Sequence, residues 1–101
     1  MHKKFDRSFL YWLIDEYLNL RIDSAKFCDE FYVTYDLELD KKELSAQEIR
    51  IFNDLNSVLS RFSKFPEDHA LDSKAFSSEA ELKNATLQAQ YALSLLSAHQ
   101  T

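Results

Sequence analysis

Apolar residues recur along the chain at helical spacing. Leu10, Leu13, Ile14, Tyr17 and Leu18 stand at i, i+3, i+4, i+7 and i+8, which lines up their side chains on one helix face and predicts a first helix from about 6 to 21. Asp23 or Ser24 then offers an N-cap. Phe27, Phe31 and Tyr35 follow four residues apart, so a second helix over about 24 to 37 carries an aromatic stripe that belongs to the core rather than to a cofactor box. In the stretch LELDKKELSAQE, Ser45 and Glu48 have the reciprocal spacing of a capping box, and a third helix starts near 46. Its apolar face is Phe52, Leu55, Leu59 and Phe62, widened by Ile51 and Val58. It must end before Pro66, because a residue preceding proline is pushed out of the α region. Ser78 and Glu81 repeat the capping-box spacing, after which Leu82, Ala85, Ala89, Leu93 and Leu96 extend a fourth helix to about 97. The core is expected to include Leu13, Tyr17, Phe31, Phe52, Leu59, Leu82 and Leu93.

Composition narrows the architecture. The chain has no glycine and one proline, which removes the positive-φ turns of hairpins and leaves few helix breakers. Hydrophobic residues make up 46% of the 101 positions, enough for one modest core and one domain spanning residues 1–101. Four amphipathic helices joined by mostly short connections fit an all-α fold, an antiparallel up-down-up-down four-helix bundle.

Charge and reactive residues exclude several function classes. The stretch MHKKFDR is basic, but the apolar run SFLYWLI after it is short and meets Asp15 and Glu16 with no small-residue cleavage site, so neither a signal peptide nor a membrane span is expected. A single cysteine, Cys28, lies in an apolar helical pattern; a buried thiol and a reducing, cytoplasmic compartment follow. His69 has no partner at catalytic or zinc-ligand spacing, and Glu67, Asp68 and Asp72 sit on an interhelix loop rather than facing inward from two helices. No glycine exists to build a phosphate-cradling loop. The expectation is therefore no enzyme, no metal and no cofactor. A net charge of −5 argues against direct nucleic-acid binding, which needs a basic footprint, and favours a basic protein as partner.

The negative charge is unevenly spread. Residues 1–22 carry four bases and three acids, net +1, which leaves −5 − 1 = −6 for the rest. Five acids and no base lie between Asp29 and Asp40, Asp36, Glu38 and Asp40 among them, and FPEDHALDSKAF places Glu67, Asp68 and Asp72 together. Converging in space, such groups steer a cationic partner.

In their order along the chain, the stripe Phe27, Phe31, Tyr35, the acidic turn leading into ELSAQEIRIFNDL, the RFS step at Arg61 to Ser63, and an acidic loop followed by FSSEAEL resemble the colicin D type of immunity protein. That family includes similar helical proteins that protect bacteria from contact-dependent inhibition toxins. The resemblance implies a four-helix bundle that binds the cytotoxic nuclease domain of a cognate toxin, typically a tRNA-cleaving ribonuclease, as a heterodimer. Carboxylates would then stand where RNA phosphates bind and satisfy the same Arg and Lys donors. Family members carry carboxylates around the Arg-Phe step, whereas here Ser60 and Ser63 flank it, so the weight passes to Glu67 and Asp68 with Asp72 behind them, and to Asp36, Glu38 and Asp40 as a second group. Two other classes fit the same helices. A helical interaction or regulatory domain would bind through an apolar groove, favoured by an exposed Trp12 and Phe5 patch. A small enzyme would show activity without a partner.

Overall fold

The computed structural model of the chain describes residues 6–62 and 76–99. Four α-helices and no strand are present among them: α1 is Arg7–Leu18, α2 is Ser24–Tyr32, α3 is Ala46–Leu59 and α4 is Glu79–His99. A π-helical turn, Val33–Glu38, continues α2, and a single 3₁₀ turn, Lys41–Glu43, precedes α3.

Side chains set each helix start. Asp6 accepts from the Phe9 N–H at 3.0 Å to open α1, and Asp23 accepts from the Lys26 N–H at 2.8 Å to open α2. The two capping boxes form as the spacing predicts. Ser45 Oγ accepts from the Glu48 N–H at 3.1 Å while the Glu48 carboxylate takes the Ser45 N–H at 2.8 Å. Ser78 Oγ accepts from the Glu81 N–H at 3.1 Å, and Glu81 reaches back to the Ser78 N–H at 3.2 Å. Each box satisfies two backbone donors that a helix start otherwise leaves unpaired.

Helix ends depart from the periodicity. The expected run to residue 21 is too long, because α1 stops at Leu18 and the chain turns through Leu20 at φ 62°. There the Arg21 N–H donates to the Glu16 carbonyl at 2.9 Å and the Leu20 N–H to the Tyr17 carbonyl at 3.1 Å, the paired bonds of a Schellman turn. The expected α-helix to residue 37 is likewise corrected: α winding ends at Tyr32 and the remaining residues are π-wound. Helix α3 ends at Leu59, ahead of the limit imposed by Pro66.

The expected core is buried throughout. Leu13, Tyr17, Phe31, Phe52, Leu59, Leu82 and Leu93 join Leu10, Ile14, Phe27, Tyr35 and Leu55 in one hydrophobic cluster. Aromatic rings connect the helices within it. Tyr17 stacks on Phe27 with centroids 4.6 Å apart, and Phe52 of α3 meets Phe31 at 6.0 Å and Tyr35 at 5.7 Å. Helix α4 packs along α3 and α1, and α1 along α2. Phe62, Ile51 and Val58 are half-buried at the edge of the α3 face. Cys28, expected inside, is also half-buried. Beyond the end of α3, the Ser77 N–H donates to the Arg61 carbonyl at 2.7 Å and so holds the start of α4 beside it.

Candidate functional site

The acidic residues 36 to 40 leave the core on the π-wound segment. Tyr35 is buried, and its hydroxyl donates to Asn53 Oδ1 of α3 at 2.5 Å. One turn on, Leu39 is buried as well, and its N–H passes over the Tyr35 carbonyl to reach that of Thr34 at 2.8 Å. Such i→i−5 bonding widens the turn and deprives the Tyr35 carbonyl of its α-helical donor. The Lys41 ammonium replaces that donor: it hydrogen-bonds the Tyr35 carbonyl and lies 4.1 Å from the centroid of the Tyr35 ring.

This arrangement has an electrostatic consequence. Lys41 follows the acids directly, yet its charge is turned inward onto Tyr35. Asp36, Leu37, Glu38 and Asp40 are all exposed. Asp36 accepts from the Asn56 amide at 3.0 and 3.3 Å, and Asp40 accepts from the Lys42 N–H at 2.9 Å and caps the 3₁₀ turn. Both partners are neutral, and among the described residues Asp36, Glu38 and Asp40 form no ion pair with Lys or Arg. Leu37, 61% exposed, stands between two of them.

Helix α3 brings one further site residue to the surface. Ser60 follows its last turn, exposed, with its N–H on the Asn56 carbonyl at 2.9 Å and its hydroxyl donating to the Ser57 carbonyl at 3.2 Å. Asn56 therefore ties Asp36 to the C-terminal part of α3, one turn before Ser60. Ser63, Glu67, Asp68 and Asp72 lie outside the described residues.

Two carboxylates hold the helices together through long-range contacts that the sequence pattern does not signal. Glu48 is buried and, besides its capping-box bond, accepts from the Tyr11 hydroxyl at 2.7 Å and from Arg7 at 3.4 Å. Burial alone would raise its pKa, but the Ser45 N–H, the Tyr11 hydroxyl and the Arg7 charge outweigh that and hold it below the ordinary carboxylate value. Glu79 accepts from Tyr17 at 2.7 Å and from Ser24 Oγ at 2.8 Å. Burial, followed by the hydrogen bonds to Glu48 and Glu79, pushes the Tyr11 and Tyr17 phenols far above their ordinary value. Both remain neutral donors. Their partners are 37 and 62 residues distant in sequence, so no local spacing signals them.

Nucleophilic chemistry has little support here. Burial, then the charges of Asp29 and Glu79, push the Cys28 thiol up to about 12, so it stays protonated at neutral pH and is a poor nucleophile. Among the described residues no three His, Cys, Asp or Glu side chains gather in a group able to hold a metal ion. No described helix is long and apolar enough to cross a membrane. The chain matches no protein-family model, no curated protein and no solved structure.

Proposed function

We propose that the chain is an immunity protein that binds and neutralises a cognate bacterial toxin nuclease, of the tRNA-cleaving ribonuclease class. In this reading the four helices form an antiparallel up-down-up-down bundle in the bacterial cytoplasm, and its carboxylates mask the basic groove of the nuclease. The observation that carries the reading is the exposed row Asp36, Glu38 and Asp40, which forms no ion pair among the described residues while Lys41 is drawn onto Tyr35. A ribonuclease groove must present Arg and Lys to a phosphate backbone, and exposed carboxylates satisfy those donors with charge-assisted hydrogen bonds. The order of motifs shared with the colicin D immunity type supplies the partner class. Ser60 stands near the same edge of α3, and Ser63, Glu67, Asp68 and Asp72 contribute on sequence grounds.

A second reading, an interaction domain with an apolar groove, draws on one observation. A groove of about 320 Å³ between α1 and α4 is lined by Tyr11, Ile14, Asp15, Gln90, Leu93 and Ser94. The Trp12 half of the patch suggested by the sequence is not open, since Trp12 is half-buried and stacks on Phe9 at 5.4 Å. Phe5 lies outside the described residues.

The test uses the nuclease domain of the toxin encoded beside this chain's gene. Affinity and melting temperature are measured for Asp36→Ala/Glu38→Ala/Asp40→Ala, for Glu67→Ala/Asp68→Ala/Asp72→Ala, and for each single change. Truncating a carboxylate buried against a toxin cation should weaken binding by about 2 to 5 kcal/mol for the central residue. Stability should move by no more than about 0.5 kcal/mol at exposed positions. Loss of binding in one triple alone assigns the masking surface to that group. Wild-type binding by both triples would sink the carboxylate-masking reading.

A further inference from the structure

The π-wound turn carries two large apolar side chains outward. Tyr32 and Leu37 are 50% and 61% exposed, whereas Phe27, Phe31 and Tyr35 of the same stretch are buried. Tyr32 is the residue from which the turn starts, and Leu37 comes five residues later. In an α-helix, residues five apart stand about 140° apart around the axis. A turn closed by i→i+5 bonds, such as the one from the Leu39 N–H to the Thr34 carbonyl, brings residues five apart to nearly the same side, as α winding does for residues four apart. The wider turn therefore collects Tyr32 and Leu37 on one outward face.

Charge selects what can cover that face. Asp29, Asp36, Glu38 and Asp40 are exposed along the same stretch, no base occurs between residues 29 and 40, and among the described residues none of the four forms an ion pair. A purely apolar partner would strip water from these carboxylates and give nothing in return. A nucleic acid, or a second copy of this chain at net charge −5, would be repelled by them. A cationic protein surface with an apolar recess meets both requirements, and an apolar centre within a charged rim is the usual layout of a protein interface.

In the toxin reading, on which this inference rests, the carboxylates attract any basic nuclease groove, because long-range attraction responds to charge and not to shape. Discrimination between one basic nuclease and another has to come from short-range contacts, which act mainly on the dissociation rate. We propose that Tyr32 and Leu37 are the specificity-determining anchors of the toxin-binding surface. They enter an apolar recess beside the basic groove of the cognate nuclease, while the carboxylates around them set the rate of encounter.

Stopped-flow kinetics of the full chain with the nuclease domain of the toxin encoded beside its gene separate the two roles. Tyr32→Ala should leave the association rate constant within about twofold of wild type and raise the dissociation rate by about 30-fold or more, the size of a hot-spot loss. Tyr32→Phe keeps the ring and should dissociate like wild type. Leu37→Asp separates charge from apolar contact by sign: it adds a carboxylate to the row, so it should associate at least as fast as wild type and yet bind more weakly. Melting temperatures of the same variants show that each is folded when assayed. A ribonuclease of similar net charge but unrelated sequence should bind wild type and Tyr32→Ala/Leu37→Ala equally weakly, since it lacks the recess. Tighter binding by Leu37→Asp, or wild-type dissociation of Tyr32→Ala/Leu37→Ala from the cognate nuclease, overturns the anchor role and leaves the toxin reading standing. Equal loss of affinity for both ribonucleases in that double variant overturns the specificity role. A wild-type chain that fails to bind the nuclease overturns the toxin reading and the anchors with it.

Discussion

Leu20 holds a backbone conformation that glycine normally supplies. At φ 62° it occupies the left-handed region, where Cβ crowds the following carbonyl oxygen at a cost of about 1–2 kcal/mol. Its side chain is 83% exposed and recovers little of this by packing. In a chain without glycine, the Schellman bonds from Leu20 and Arg21 hold the turn instead. Replacing Leu20 by Gly should raise stability by about 0.5–1 kcal/mol, the relief of strain less the added freedom of the unfolded chain. Thermal melting decides it: a lower midpoint would mean that the Leu20 side chain makes stabilising contacts. Glu48 sets a second single-residue expectation, with the opposite sign. Its carboxyl is held below the ordinary value of 4.5. The stability it adds is therefore fully present above its unfolded pKa and is lost as pH falls through the folded one. Glu48→Gln should be less stable than wild type at pH 7 by roughly 1–3 kcal/mol. That gap should narrow below about pH 4.5 as the wild-type carboxylate protonates. A gap that stays constant from neutral to acid pH would show that the Glu48 charge contributes nothing.

At the scale of elements, what is local in the chain is legible in the sequence and what is long-range is not. Both capping boxes form because each needs only a hydroxyl and a carboxylate three residues apart. Phe27, Phe31 and Tyr35 were identifiable as core from spacing alone. The winding of the last turn of that stripe was not, since π bonding at Leu39 is stabilised from elsewhere: by Asn53 of α3 on the Tyr35 hydroxyl, and by Lys41 on the carbonyl that the wider turn leaves unpaired. Periodicity has no term for either contact. The end of α1 escaped for a different reason, because apolar spacing carries no sign of a leucine in a left-handed turn. The candidate site divides the same way. Its acids are visible as a run without bases, whereas the inward turn of Lys41 depends on the π geometry. Likewise Leu87, Tyr91 and Leu95 share the period of the buried Leu82, Ala89 and Leu93, and only the packing of α4 against α3 and α1 shows which set faces out.

For the whole molecule, the net charge of −5 sets how binding to a basic partner responds to salt. Association with a basic nuclease through exposed carboxylates is driven by long-range attraction. Raising ionic strength from low salt to 0.15 M shortens the Debye length to about 8 Å, so the association rate constant should fall, by roughly tenfold or more if steering dominates the encounter. Stopped-flow binding to the nuclease domain, run over a salt series, tests this. A nuclease on-rate that is flat in salt would remove the carboxylates as the steering surface and favour the apolar groove between α1 and α4.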